Sequence, residues 1–459
     1  MKTALKIKLI SLALLTSGSQ LSAANWLMLQ GTQPEFVAPK GVIVPYRSRT
    51  PKIWGFVQAN FRKDSGTQFI APDGKNKTPF SLLNPNLEDQ SGFNIFRARV
   101  AVRGMADKEN KINYFVMTEF GNNGINNPAG HSEASTYFTD ASITVKHVPY
   151  AKLRVGKFKY PGSEEGLQAV FVSPYISFTT MTNQQMLDRS NKNVGAAQTG
   201  AAAGGAASVH YTTTSIENPV GAFRDTGLQI FDTIKISDGW AASYAYMYGN
   251  GSGISNVNGN DQATHYGYLA LEKTYGGKGF FTESMKFYAW GQTGKRILLS
   301  NNGVSTDRVE TNRKRLGLGI TYYRNGLRVE AEYMKAKGMI FTGAKEVNSD
   351  PQMNEWQYQV AAGEENKADG GYINLQYEVI PKKLEFFGRY DFANRLTNDA
   401  KAERDFTTAT LGASYRFKGA TRVDLNYAFR DAKAPGNANA QKVLDNMGNR
   451  LEVQFTAHF

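Results

Sequence analysis

From Lys52 to the C-terminus the chain runs in segments of about ten residues whose side chains alternate apolar and polar. A period of two is that of a strand with two different faces. Strands are predicted near 52–61, 92–105, 110–120, 136–146, 150–160, 225–236, 240–249 and 264–274. Eight more fall near 284–293, 312–324, 327–337, 371–379, 383–394, 406–417, 421–431 and 449–459, making sixteen. Their connections alternate in length. Short turns such as Ala106–Asn110, His147–Pro149 and Asn325-Gly326 take turns with long loops at 62–91, 121–135, 161–224, 250–263, 294–311, 338–370, 395–405 and 432–448. A soluble sandwich has shorter strands and no such two-sided asymmetry. Ten tilted residues cover roughly 23 Å, the height of the apolar band of a membrane barrel. The pattern therefore predicts an all-β protein: a transmembrane, 16-stranded, antiparallel up-and-down β-barrel over 52–459.

The alternation also assigns faces. Phe96, Ala98, Val100 and Val102 share one side of their strand, and Arg97, Arg99, Ala101 and Arg103 the other. Charge facing lipid at mid-membrane costs about 2–4 kcal/mol, so the arginines are expected to point into the lumen. Val423, Leu425, Tyr427 and Phe429 alternate with Arg422, Asp424, Asn426 and Arg430 in the same way. The last strand places Leu451, Val453, Phe455, Ala457 and Phe459 opposite Glu452, Gln454, Thr456 and His458. Two strands break the pattern. Asp232 falls among Leu228, Ile230, Ile234 and Ile236, which predicts a bulge or an early strand end, and Gly156 separates two basic pairs of opposite parity.

Ahead of the barrel, Lys2, Lys6 and Lys8 precede the apolar run Leu9–Leu15, and Ser22-Ala23-Ala24 supplies small residues for cleavage after Ala24. Residues 1–24 thus read as a secretory signal peptide, and the proline-punctuated stretch 25–51 as an extended periplasmic lead-in. No later run approaches the roughly 18 apolar residues of a membrane-spanning helix. Formal charge is +13; removing the three lysines of the signal leaves 50 basic and 40 acidic residues, or +10. Absence of cysteine excludes thiolate metal sites, iron–sulfur clusters and covalent c-type haem. The five histidines are scattered, and the glycines at 249, 251 and 253 lead into an Asn/Ser-rich loop rather than a helix. No catalytic constellation, metal site or cofactor is expected, and a basic inner wall is a poor surface for nucleic acid.

What the inner wall offers is anion chemistry. Arg97, Arg99 and Arg103 form the densest group, joined by Lys152, Arg154, Arg313 and Arg315. Guanidinium groups along a narrow aqueous tunnel attract anions and repel cations. The alternative is solvated charge paired with Glu119, Asp140, Glu330 or Glu332. Trp54, Phe56, Tyr288 and Trp290 share lumenal parity, which would suit a neutral sugar or amide if their faces were open.

Three motifs resemble the phosphate-selective porin O/P family: Phe96-Arg97-Ala98-Arg99 with Arg103 and Gly104, Leu153-Arg154-Val155-Gly156-Lys157-Phe158-Lys159, and Arg224-Asp225 leading into Gly227-Leu228-Gln229. The resemblance implies a trimeric barrel in the outer membrane of a Gram-negative bacterium, with Arg97, Arg99 and Arg103 as a ladder for small anions such as phosphate. It also implies a third extracellular loop folded into the pore. Here that loop is 161–224, with Phe171, Tyr175, Phe178 and Arg189 as constriction residues. Glu164, Glu165, Asp188 and Glu217 stand against Arg189, Lys192 and Arg224, so the loop carries −1 and is not a lysine-rich phosphate cage. The terminal Phe459, with Phe455, resembles the signal that the barrel-assembly machinery reads in outer-membrane barrels. A passive anion-favouring diffusion channel is thus expected, with a neutral-solute porin and a sheath for a multihaem cytochrome as alternatives.

Overall fold

The computed structural model describes Trp26 and residues 51–66, 69–70, 76–77, 91–107, 109, 111–123, 136–188, 213–216, 221–254, 263–277, 281–301, 306–342, 359–361, 363–445 and 447–459. The signal-peptide and lead-in assignments lie outside these residues, save for Pro51 and Trp26, which is buried in an apolar cluster with Phe158 and Tyr160.

Sixteen antiparallel strands close on themselves. They are β1 Lys52–Asp64, β2 Ser91–Met105, β3 Ile112–Glu119, β4 Tyr137–Val145, β5 Lys152–Lys159, β6 Arg224–Ser237, β7 Trp240–Gly249 and β8 Thr264–Gly276. The second half is β9 Glu283–Asn301, β10 Thr306–Arg324, β11 Leu327–Lys337, β12 Lys367–Ile380, β13 Leu384–Arg395, β14 Arg404–Lys418, β15 Thr421–Lys433 and β16 Arg450–His458. Each pairs with its chain neighbours, and β1 pairs with both β2 and β16, which closes the barrel and leaves no free edge. The Asn325-Gly326 turn has φ of 52° and 78°, the two left-handed residues of the hairpin turn that suits strand twist. Beyond the last strand, Phe459 exchanges backbone bonds with Gly55 at 2.9 and 3.0 Å, tying the C-terminus to β1.

Burial follows the alternation. On β1, Phe56, Gln58, Asn60, Arg62 and Asp64 are buried, and on β16 Arg450, Glu452, Gln454 and Thr456. The opposite faces expose Val100, Leu269, Leu318, Leu375, Leu411 and Phe455, as surface that meets lipid must. Tyr246 and Tyr248 of β7 belong to this outer face.

The departures have local causes. Where Gln58–Ala59 meets Arg97–Ile95, Phe96 is an extra residue in β2; this bulge buries its ring beside Arg97 instead of leaving it on the outer face. Asp232 is neither bulged nor at a strand end. Pairing runs through it unbroken to Tyr244, and Lys152 and the Thr233 N–H (2.7 Å) take up its charge. At Gly156 the backbone turns through φ +122°, where a Cβ would meet the Ala141 oxygen at 2.1 Å, and Lys157 and Lys159 beyond it are both buried. The loop expected at 294–311 is a hairpin instead. β9 and β10 stay paired out to Asn301 and Thr306, so they project well past a bilayer-spanning length. A strand at Thr213–Ile216 adds to that projection by pairing with Leu298–Asn301.

Candidate functional site

The third long connection begins at the end of β5, and its described part, through Asp188, makes its contacts with inward faces of the wall. Gly162-Ser163 opens a single helical turn, Glu164–Leu167, whose N-cap Ser163 accepts from the Gly166 N–H at 3.1 Å. The turn points Glu164 at Lys286 of β9 (2.6 Å) and Glu165 at Arg389 of β13 (3.0 Å). Glu165 also accepts from the Thr179 N–H and hydroxyl at 3.0 and 2.7 Å, which folds the connection back on itself. Burial pushes the Glu164 carboxyl up from its ordinary range, and the Lys286 ammonium opposes that shift.

Further along, Phe171 packs on Phe56 (5.1 Å) and Trp54 (5.7 Å) of β1. The Arg422 guanidinium donates to the Val172 and Ser173 carbonyls, and Asn426 to that of Pro174 at 3.1 Å. Tyr175 lies against the Arg389 guanidinium at 3.9 Å and donates its hydroxyl to the Gly388 carbonyl at 2.8 Å. Arg315 donates to the carbonyls of Gln185, Gly338 and Met339 at 2.9, 3.0 and 2.7 Å. Asp188 accepts from Arg313 at 3.0 Å and lies 3.5 Å from Arg296. Residues 162–188 are therefore pinned to inward-facing residues of the wall, chiefly those of β9, β10, β13 and β15.

The seven basic residues expected along the pore divide accordingly. Arg313 and Arg315 are buried against segment 162–188, and their donors hold its carboxylate and carbonyl groups. Lys152 meets Asp232 toward the short-turn end. Arg154 is fully buried with its guanidinium over Phe158, 4.3 Å from the ring centre. Arg103 lies 6.0 Å from the Trp54 ring. Only Arg97 and Arg99 border the cavity left between β2 and segment 162–188. Arg97 donates to Gln58 at 2.9 Å, and Arg99 pairs with Glu119.

Two further cations complete that cavity. Lys159 donates to the carbonyls of Leu167 and Gln168 at 3.2 and 2.9 Å, and Arg224 pairs with Asp140 at 2.9 Å. Four cations against Glu119 and Asp140 give this wall a positive excess. A second cavity, sharing Ser177, Phe178 and Asn183 with the first, is bordered by Arg389, Arg430 and Arg450 with Asp391, Asp431 and Glu452. Arg450 and Arg430 both reach Asp64, at 2.6 and 3.2 Å, across the closure between β16 and β1. Parity alone places Arg422 and Arg430 inward, but only the closure of the ladder brings Arg450 and Asp64 beside Arg430. Of the expected constriction residues, Phe171, Tyr175 and Phe178 lie in segment 162–188, and Arg189 lies outside the described residues.

No protein-family model matches the chain, and no curated protein matches it. Solved structures do. OmpF of Salmonella typhi in complex with daunomycin is similar over 91% of this chain and 99% of its own, with 13% identity and a TM-score of 0.51. The fold is the porin fold. An anion-selective porin from Comamonas acidovorans is similar over 89% of this chain and 99% of its own, at 13% identity and a TM-score of 0.50. OprB of Pseudomonas putida is similar over 90% and 95%, at 9% identity and a TM-score of 0.50. Identities this low carry the architecture of a porin barrel and nothing about its solute.

Proposed function

We propose that the protein is a passive outer-membrane diffusion channel favouring small anions, with the cavity at Arg97, Arg99, Lys159 and Arg224 as its selective stretch. The observation that carries the reading is the division of the lumen. The crossing segment, 162–188, fills the side where Glu164, Glu330 and Glu332 lie, and the cavity at the β2 wall is lined by Arg97, Arg99, Lys159 and Arg224, whereas the one at β13–β16 sets three arginines against three carboxylates. An ion in narrow water next to an excess of cations is selected by sign without further machinery. Arg103, Lys152 and Arg154 extend the same basic wall toward the short-turn end, and Arg313 and Arg315 act as anchors of the crossing segment. Phosphate and related oxyanions are among the permeants, in keeping with the three O/P-type motifs, without being the preferred ones.

The aromatic residues that would suit a neutral solute are engaged otherwise. Trp54 and Phe56 pack on Phe171, Trp290 donates to Glu332 at 2.7 Å, and Tyr288 stacks on Tyr268. With the lumen crossed by 162–188, a sheath for a second protein is disfavoured as well.

The assignment to the outer membrane rests on the apolar outer face, the Lys-rich N-terminal export signal and the terminal Phe459, through which the assembly machinery would act. A homotrimer has support in the distribution of tyrosine. Among the described residues, the exposed tyrosines of the strands' outer faces belong to β7, β8 and β11–β15, whereas on β16 and β1–β5 the outer face has only the half-buried Tyr114, with Tyr150 in the turn before β5. Tyrosine marks a lipid–water boundary, so this tyrosine-poor arc is the face that meets other subunits. The channel reading is tested by the reversal potential of single channels in a potassium chloride gradient. A potential of anionic sign is expected, and a cationic sign overturns the reading.

A further inference from the structure

We propose that the preferred permeant is an organic anion, a carboxylate on an apolar and especially an aromatic body, and not a small inorganic oxyanion. The inference rests on the anion-channel reading and names its solute class. A site for a bare oxyanion needs donors on all sides, because an oxyanion surrendering water to an apolar wall is penalised heavily. The cavity at β2 does not surround a solute with donors. Besides Arg97, Arg99, Lys159 and Arg224 its lining is chiefly apolar, from Val170, Ile176, Leu187, Phe178 and Phe223, with Ser177 and Asn183 as neutral polar members.

The guanidinium of Arg97 is itself flanked by rings, with its central carbon 4.2 Å from the Phe96 centre and 5.6 Å from that of Phe178. Phe178 meets Phe223 edge-on at 5.2 Å, so the two rings form a continuous apolar wall. A carboxylate accepting from the cations would lay its body on this wall.

The same pairing recurs in the second cavity, where Arg389 and Tyr175 are in contact at 3.9 Å and Phe406 shares the lining with Arg430 and Arg450, although Asp391, Asp431 and Glu452 line it too. Phe178 borders both cavities. The solute therefore meets an aromatic face and a cation together at two successive stations, with Phe178 as the wall between them. Phe96 owes its place there to the bulge in β2, a departure from strand pairing that turns a ring from lipid to lumen.

The experiment measures bi-ionic reversal potentials in planar bilayers with the potassium salts of acetate, benzoate and inorganic phosphate against chloride, using the full-length channel. Benzoate diffuses more slowly than acetate in water, so a plain aqueous pore passes it less readily. The expected result is a benzoate permeability above that of acetate by about two- to ten-fold, the factor one aromatic contact contributes. Phosphate should fall below both. Phe178→Leu keeps the apolar bulk and should remove most of the benzoate advantage while chloride selectivity stays anionic. An anion-selective channel that ranks the three by free mobility, or that favours phosphate, overturns this inference and leaves the channel reading standing. A cation-selective channel overturns both. If Phe178→Leu fails to assemble, the ranking in the unaltered protein still decides the matter.

Discussion

On the β9–β13 side of the lumen, carboxylates of the crossing segment are matched one by one. Glu164 meets Lys286, Glu165 meets Arg389 and Asp188 meets Arg313. On the β1, β2, β5 and β6 side the cations are bound to the wall's own carboxylates, to an amide or to carbonyls, and they border open space. Both sides use arginine and lysine on inward faces, and strand parity cannot tell them apart. What separates them is whether a carboxylate from the segment 162–188 reaches them; on the second side the segment offers Lys159 only the carbonyls of Leu167 and Gln168. On the proposed channel reading, the latched side sets where the opening lies, and the unlatched side sets what sign of charge passes.

The largest effect should come from breaking the latch. Lys286→Met leaves the Glu164 carboxylate buried without its partner, an arrangement that costs about 3–5 kcal/mol. A lowered thermal unfolding midpoint and unsteady single-channel conductance are expected. Adding Glu164→Leu removes the orphaned charge, and stability should recover most of the way; lack of recovery would mean that the ion pair does not hold the segment.

Next in size is a lysine on the outer face. At Val100 of β2 or Leu375 of β12, both exposed, it should cost about 2–4 kcal/mol if each faces lipid. At Val100, on the tyrosine-poor arc, it should also abolish oligomers seen by cross-linking, whereas at Leu375 the oligomers persist. Equal behaviour at the two positions would refute the assignment of β16–β5 to subunit contacts.

A smaller change is expected for Arg97→Gln. The residue's hydrogen-bonding neighbour Gln58 is neutral, so no buried carboxylate is stranded. One unit charge about 7 Å from a permeating ion in water contributes roughly 0.6 kcal/mol, favourable for an anion and unfavourable for a cation, so the anion-to-cation preference should fall about seven-fold. Arg315→Gln, on the latched side, should change selectivity less than Arg97→Gln does.

The smallest effect lies in the short turn between β2 and β3. Burial acts weakly upward on the Asp107 carboxyl, but the N–H groups of Ile112, Lys111 and Glu109 hold it below its ordinary value. A depressed carboxyl stabilises the fold above its unfolded pKa, and that stabilisation is lost as pH falls through the folded value. Asp107→Ala should therefore lower the unfolding midpoint slightly at neutral pH and not at all in strong acid.

Much of the barrel was legible because one physical demand, apolar outside and polar inside, is written into every strand with period two. The inward placement of Arg97, Arg99, Arg422 and Glu452 follows from that rule. Phe96 defied it because a bulge depends on how β1 and β2 register, which neither strand states alone. The hairpin in place of a loop at 294–311 was missed because, once past the membrane, both faces meet water and the alternation fades. The latch was illegible for a different reason. Glu164 and Lys286 are far apart in sequence, and only the path of the crossing segment joins them. Lys159 and Arg224 stood in the motifs, but their place at the cavity needed the turn at Gly156 and the pairing of β5 with β6.

The central claim is that the unlatched side of the lumen selects for anions. Its most direct test is the zero-current potential of single channels across a ten-fold potassium chloride gradient, measured for the unaltered protein and for Arg97→Gln. The account predicts a potential of anionic sign that moves toward zero in the variant. A cationic sign in the unaltered protein, or a potential that Arg97→Gln leaves unmoved, would contradict it.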